Sequence, residues 1–372
     1  MKFIATTGYS LEGVLNRELK TLGMNVLDVS TSRVMFEGDH IDGCRASIML
    51  RSAGRVLLQV SNFSAMTFDE LFDGAYSIQW ERIVEEGVSV KVVARSVNSA
   101  LFSQRTIQSI VQKAIFKRIC DKRRIRFIQG QPKYNVDVLI HKNVVSISID
   151  LVGKPLHMRG YRVLNSDAAI RETLAASLVL LSGWKFDRPL HDPFCGSGTI
   201  LVEAALLARN IGPGINRKFF YNDIPWWPKS ACEKAKEQCR DEEYRGELPP
   251  ITGADIDESV LSMAKTHLKK ARLTNDISLR VENVKNMTLN RDRGHIITNP
   301  PYGERLSNKN AIFTTYTDFA DAYRQKPGYS CHVITSYEKT QSIFGRKADR
   351  KRKLYNGNIQ TFYYQFFGRL IN

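Results

Sequence analysis

Apolar positions recur in two rhythms along the first 150 residues, every second residue in some stretches and at three- and four-residue intervals in others. The rhythms predict strands mixed with helices. "KFIATT" and "VLLQVSNF" read as strands, and between them "LEGVLNRELKTLG" reads as a helix closed by Gly23. The segment "MTFDELFDGAYSIQWERIV" is helical. A strand "VSVKVVARS" follows, then a long helix "SQRTIQSIVQKAIFKRICDK" opening at Ser103, and two alternating strands, "YNVDVLIH" and "NVVSISIDL". Past the polar, turn-rich "HMRGYRVLNSDAA", the segment "IRETLAASLVLLSGW" is rich in good helix formers. Strands then alternate with helices to the end, the pattern of a parallel α/β sheet. At 372 residues the chain exceeds one ordinary core of about 100 to 200 residues. The expected organisation is an α+β unit over 1–64, a second α+β unit over 65–164 and an α/β unit over 165–372, with the main boundary near Asn165.

Composition narrows the class of partner. Hydrophobic residues at 43% and charged residues at 25% are those of a globular protein. No apolar run approaches the roughly 18 residues of a membrane span, and "MKFIATTGYSLEG" lacks the apolar core of a signal peptide, so a cytoplasmic location without membrane contact is expected. The six cysteines form no C-x-x-C pair and the seven histidines no H-x-x-x-H spacing; reduced thiols and no metal are expected. The formal net charge of +16 favours a polyanion, and its clustering favours nucleic acid. From Lys91 to Lys133 there are eleven Lys and Arg against one acid, and "RKADRKRK" (346–353) holds six against one. The long basic helix and its following loop therefore offer Arg105, Lys113, Lys117, Arg118, Lys122, Arg123, Arg124 and Arg126 to RNA phosphates, which would give affinity without sequence choice.

Three motifs carry the chemistry. In "LHDPFCGSGTILVEAALLAR" an acid at a strand end precedes a tight turn and an apolar helix, the first turn that a doubly wound sheet presents to an adenosine-containing ligand. Asp192, Phe194, Gly196, Gly198 and Thr199 are the candidates, the glycines because they let backbone approach the ligand. Gly-Lys-Ser/Thr is absent, which excludes a phosphate loop, and the full G-x-G-x-x-G fingerprint is absent too. In "ITGADIDESVLSMAKTHLKKA", Asp255 ends a short strand where an acid accepts ribose hydroxyls, and Asp257 caps the helix that follows. The stretch from Ala208 to Pro250 separates these motifs by far more than a minimal unit requires, so it reads as an insertion or an added helix pair. Last, "HIITNPPYGER" ends a strand in a corner that neither helix nor central strand tolerates, since each proline removes a donor and fixes φ. The Asn299 side-chain oxygen and the Pro300 carbonyl can take both hydrogens of an exocyclic amine. Pro301 stiffens the corner, and Tyr302 can stack on an extruded base.

Through "DPFCGSGT", "GADID" and "NPPYGER" the second half resembles the class I S-adenosylmethionine-dependent amino-methyltransferases, with their Rossmann-like fold. The first half, with "FDELFDGAYSIQWERIV" and the basic helix, resembles a ferredoxin-like domain followed by a THUMP RNA-binding domain. Together they resemble the THUMP-containing guanine-N2 RNA methyltransferases, bacterial 23S rRNA enzymes of the RlmL/YpsC type. The resemblance implies S-adenosylmethionine as cofactor, RNA as partner and Asn299, Pro300, Pro301 and Tyr302 as the catalytic corner. It also implies Thr173, in "RETLAA", as a contact for the methionine end. Where the family usually has an acid reaching the adenine amine, "LRVENVKNM" offers Asn283, with Glu282 beside it.

The implied reaction is direct in-line methyl transfer, driven by positioning and desolvation with no covalent enzyme intermediate. Cytosine C5 chemistry would need a cysteine at the corner, and Cys195 lies instead in the cofactor turn. A tRNA guanosine, a DNA adenine or cytosine-N4 amine, and a non-catalytic RNA-binding assembly factor are the alternative readings.

Overall fold

The computed structural model describes residues 1–125, 130–163, 170–302 and 309–369. Asn165, where the main boundary is expected, and Arg126 both lie outside the described residues.

The described residues among the first 150 build one seven-stranded sheet. Its strands are β1 (Lys2–Thr7), β2 (Asn25–Ser30), β3 (Arg33–Glu37), β4 (Ala53–Ser64), β5 (Ser89–Val97), β6 (Pro132–His141) and β7 (Val144–Asp150), in the order β2-β3-β1-β4-β7-β6-β5. The 12-residue β4 carries the sheet across residue 64, pairing with β1 on one side and β7 on the other, so the two expected α+β units share one sheet. Helices α1 (Glu12–Thr21), α2 (His40–Met49), α3 (Phe68–Ser77), α4 (Trp80–Ile83) and α5 (Gln104–Arg123) accompany it. Local chemistry sets several of their ends. Gly23, at φ +77°, follows α1; Thr67 and Glu70 close a reciprocal capping box on α3; and the Ser103 hydroxyl accepts the Thr106 N–H at α5. The hairpin β2–β3 and helix α2 are not legible in the apolar pattern, because β2 is almost wholly exposed and α2 is buried nearly all round on small residues.

The described residues of the second half form a sheet of seven strands in the order β10-β9-β8-β11-β12-β14-β13. These are β8 (Leu190–Asp192), β9 (Ile251–Asp255), β10 (Ile277–Val281), β11 (Gly294–Thr298), β12 (Tyr329–Thr335), β13 (Arg350–Asn356) and β14 (Ile359–Phe366). The first five run parallel and the last two form an antiparallel hairpin against β12. Helices α6 (Glu172–Ser182), α7 (Thr199–Ala208), α8 (Lys229–Asp241), α9 (Glu258–Ala271), α10 (Lys309–Arg324) and α11 (Thr340–Ile343) complete it. This is the expected α/β class, a Rossmann-like sheet behind an α+β first half.

The insertion between α7 and β9 belongs to the junction of the halves. Its Phe219, Tyr221, Trp227 and Cys232 join the core of the first sheet, and α8 packs on α2. A buried ionic group seals the same junction. Glu203 of α7, wholly buried, faces Arg159 at 3.4 Å and accepts the Tyr161 hydroxyl at 3.0 Å; Arg159 in turn donates to the Arg51 carbonyl behind α2. All six cysteines are free thiols.

Candidate active site

Adjacent parallel strands present their carboxyl ends side by side, which brings the three motifs together. Asp192 ends β8, Asp255 ends β9, Glu282 and Asn283 follow β10, and Asn299 follows β11. All five line one cavity of about 520 Å³, within the usual size for a small-molecule site.

The turn after β8 is shaped by backbone. Gly196 (φ +53°) and Gly198 (φ +80°) occupy the left-handed region, where a side chain would be strained. The Gly196 N–H donates to Asp255 Oδ2 at 2.9 Å, which ties the first motif to the second. Asp255 Oδ1 also takes the Asp257 N–H, and Asp257 caps α9 by accepting from the Ser259 N–H at 2.8 Å. Gly198 serves the turn rather than the cavity wall: a Cβ there would sit 3.3 Å from the Ala264 methyl, so glycine permits α7 to pack on α9. Thr199 opens α7 at the wall, and Phe194 lines the cavity with its ring edge-on to Phe319. His267, fully buried, holds the Ser197 carbonyl at 3.0 Å; nothing in the motif points to it.

Asp192 is 1% exposed. Its Oδ1 accepts the Thr298 hydroxyl at 2.6 Å and the Phe194 N–H at 3.1 Å. Burial pushes its carboxyl up to about 7, against the pull of those two bonds, and the nearby Asp255 charge adds to the rise. Burial likewise raises Asp255, opposed by its backbone donors. Thr298, the polar residue ending an apolar strand just before Asn299, is a supporting residue that the motifs alone do not single out. So are the apolar walls Ile256 and Val284, which suit a flat ring; Ile256 stands 68% exposed.

Asn299 is the unusual member. Its Oδ1 is buried and has no hydrogen-bond partner among the described residues, a costly state for a polar atom. Pro301 lines the cavity with it.

Several expectations need correction. Tyr302 does not display a stacking face: it is 2% exposed, and Asn356 of β13 donates to its hydroxyl at 3.0 Å, so the ring is folded in toward the closing hairpin. Neither Tyr302 nor Pro300 lines the cavity. Thr173, in the first turn of α6, does not line it either; the segment ahead of the helix reaches the wall through Ile170. Asn283 and Glu282 both line the wall, and each is already engaged. Asn283 Oδ1 accepts the Lys285 N–H, while the Glu282 carboxylate takes the Thr288 hydroxyl and faces Arg280 at 3.0 Å.

The basic helix divides. Arg105, Lys113, Lys122 and Arg124 are exposed, and so is Lys117, though it pairs with Asp121 at 2.9 Å. Arg118 is not free for phosphate, because two of its nitrogens grip Glu81 at 2.9 and 3.0 Å. Arg123 is spent on the Glu81 and Val84 carbonyls. Among the described residues no three His, Cys, Asp or Glu side chains converge as metal ligands, and no helix is long and apolar enough to cross a membrane.

A carboxyl-edge cavity reached by a glycine turn in the left-handed region, and lined by two strand-end carboxylates and an asparagine oxygen without a partner among the described residues, belongs to the S-adenosylmethionine-dependent methyltransferases. Residues 159–365 match the RMKL-like methyltransferase domain, 2–57 the RlmL ferredoxin-like domain and 65–150 the THUMP domain, and the chain belongs to the RMKL-like methyltransferase family. It is 39% identical over 99% of its length, and 96% of the relative's, to YpsC of Bacillus subtilis (strain 168), a provisionally named RNA methyltransferase. It is 30% identical over 96% of its length to the ribosomal RNA large subunit methyltransferase K/L of Shewanella amazonensis, spanning about half (52%) of that longer protein. Among solved structures, a Listeria monocytogenes protein described as a predicted N6-adenine-specific DNA methylase superposes with TM-score 0.92 at 38% identity, covering 99% of this chain and 96% of that one. SMU.472, provisionally assigned as a methyltransferase and solved in complex with SAH, superposes with TM-score 0.91 at 33% identity, covering 100% and 99%.

The residues present fit S-adenosylmethionine. When bound, it supplies an electrophilic methyl on a sulfonium. Gly196, Asp255, Ile256 and Val284 line the cavity and are the groups that would hold it, the turn by close backbone approach, Asp255 through ribose hydroxyls and the two apolar side chains against adenine.

Proposed function

We propose that this cytoplasmic protein methylates the exocyclic N2 amine of a guanosine in large-subunit ribosomal RNA. The observation that carries the reading is the buried Asn299 Oδ1, without a hydrogen-bond partner among the described residues, in the wall of the cofactor cavity. A buried acceptor that no described residue satisfies is paired when an amine N–H arrives, so the site suits that group. With an N–H held by Asn299, the amine nitrogen's lone pair is less delocalised into the base and is aimed at the cavity. Placement and exclusion of water do the rest. The exposed cations of α5 and the THUMP-domain match support RNA as the substrate, and the K/L relatives support the large-subunit molecule.

The test is mass spectrometry of nucleosides from separated 23S rRNA, 16S rRNA and tRNA, in cells with and without the gene. Loss of N2-methylguanosine confined to 23S rRNA is the expected result; an unchanged profile in all three pools would overturn the reading. The likeness to the Listeria protein, described as a DNA methylase, favours a second reading, a DNA adenine amine, since the same corner serves any exocyclic amine. Methylation of RNA in the presence of excess duplex DNA separates the two.

A further inference from the structure

The strand β13 carries Arg350, Lys351, Arg352 and Lys353 in succession, all four exposed. Among the described residues it is the edge of its sheet, bonded to β14 alone. None of the four forms an ion pair among the described residues, unlike Arg118, Arg209 or Arg346 elsewhere in the chain. Alternation places Arg350 and Arg352 on one face and Lys351 and Lys353 on the other, so the row presents positive charge on both faces of the edge. Lys351 Nζ lies 4.0 Å over the Phe362 ring, and Arg352 donates to the Ser10 carbonyl of the first half at 2.9 Å. Among the described residues the side chains of Arg350 and Lys353 make ring contacts alone, at 5.5 Å over Phe367 and Tyr355.

Edge strands commonly carry a lysine that discourages pairing with another sheet. One charge suffices for that, and it does not account for four. The strand's direction accounts for more. It ends at Asn356, whose side chain holds the Tyr302 hydroxyl, three residues from Asn299. At about 3.3 Å per residue, Lys353 lies roughly 10 Å and Arg350 roughly 20 Å back along the strand from that contact. A line of unneutralised cations thus leads away from the amine acceptor along the outer edge of the catalytic sheet.

We propose that β13 is a phosphate-binding rail that grips the RNA backbone of nucleotides neighbouring the guanosine whose amine enters the cavity. The inference rests on the reading above that RNA is the substrate. Phosphate contacts of this kind fix position without reading sequence, so the rail sets register while Asn299 selects the amine. It is separate from the exposed cations of α5, which lie in the other half.

The experiment uses the full chain and large-subunit RNA isolated from cells lacking the gene. Arg350→Gln combined with Lys353→Gln should raise the KM for that RNA roughly tenfold and reduce the slope of log KM against log salt by about 1.4, two phosphates at about 0.7 each for single strands. The affinity for SAH should be unchanged. Lys353→Glu separates the two roles of an edge cation: it still guards the edge, so a protective role predicts no loss beyond that of Lys353→Gln, whereas a rail predicts a larger one. Arg350→Lys with Lys353→Arg should restore most of the affinity. An unchanged KM and salt slope in the double Gln variant, with wild-type protein active, would overturn the rail alone. Wild-type protein that methylates no large-subunit RNA would overturn the substrate reading and the rail with it.

Discussion

The cofactor edge and the basic helix α5 are both dense in functional-looking residues, yet they resolve differently. At the edge of the second sheet, Asp192, Gly196, Asp255 and Asn299 come from three separated motifs and meet in one cavity. On α5, Arg118 and Arg123 turn inward to Glu81 and Val84 and hold the fold instead of facing outward. The difference lies in what fixes each side chain. Glycines at positive φ, consecutive prolines and strand ends constrain the backbone, and backbone constraint places short side chains such as Asp and Asn within narrow limits. An arginine's long stem reaches partners in any direction, so its position on a helix says little about its use. Motifs built on backbone predict sites, while clustered charge predicts only a surface to be sorted.

The contrast breaks most sharply at Asn299. Asn299→Ala should lower kcat by roughly 10²- to 10³-fold, the scale for deleting one preorganised polar contact, with SAH affinity measured by calorimetry staying close to wild type. A collapse of SAH affinity instead would make Asn299 a cofactor residue and remove the acceptor role. The junction between the two regions comes next. Glu203→Ala strands Arg159 beside an empty carboxylate position in a buried interface, and a loss of about 3 to 5 kcal/mol in denaturant unfolding is expected. A negligible loss would mean that the halves fold independently of this ionic group.

Asp192 tests the cavity's electrostatics. Its carboxyl sits at about 7 in the folded protein against an ordinary value of 3.8, so the folded state binds the extra proton between those values. Stability from this group is therefore fully present below about pH 4 and is lost as pH rises through about 7. Asp192→Asn cannot titrate. The stability of wild type relative to the variant should thus fall between roughly pH 4 and pH 8, by at most about 4 kcal/mol, at about 1.36 kcal/mol for each pH unit separating the folded and unfolded values. Parallel melting curves at both pH values would show that the carboxyl is not protonated in the fold.

Legibility follows the same division. Asp192, Asp255 and Asn299 can be read because each lies in a contiguous motif at the end of a strand, whereas Thr298, inside the last of these strands, is not singled out. The hairpin β2–β3 cannot, since β2 buries almost nothing and carries no alternation to read. Nor can helix α2, whose Gly43, Cys44, Ala46 and Ser47 are all buried and leave no polar face. That β4 welds two units into one sheet, and that the insertion packs its Trp227 and Cys232 on the opposite half, depends on pairings between residues far apart in sequence. The inward turn of Tyr302 is hidden for the same reason, because Asn356 is 54 residues away.

The smallest expected effect sharpens the comparison within α5 itself. Arg118 and Lys113 lie five residues apart on one helix, one locked to Glu81 and one exposed. Arg118→Ala removes a two-pronged pair that is partly shielded, at 14% and 20% side-chain exposure, so it should cost about 1 kcal/mol of stability. Its effect on the salt dependence of RNA binding should be slight. Lys113→Ala should leave stability within about 0.5 kcal/mol and reduce the salt slope of RNA binding by about one contact, roughly 0.7 to 0.9. If both variants changed the salt slope equally, the Glu81 pair would have to open when RNA binds, and Arg118 would be a reserve cation released by the substrate. If neither did, α5 would be a solvated face, and RNA affinity would have to come from other cations, the exposed row on β13 foremost.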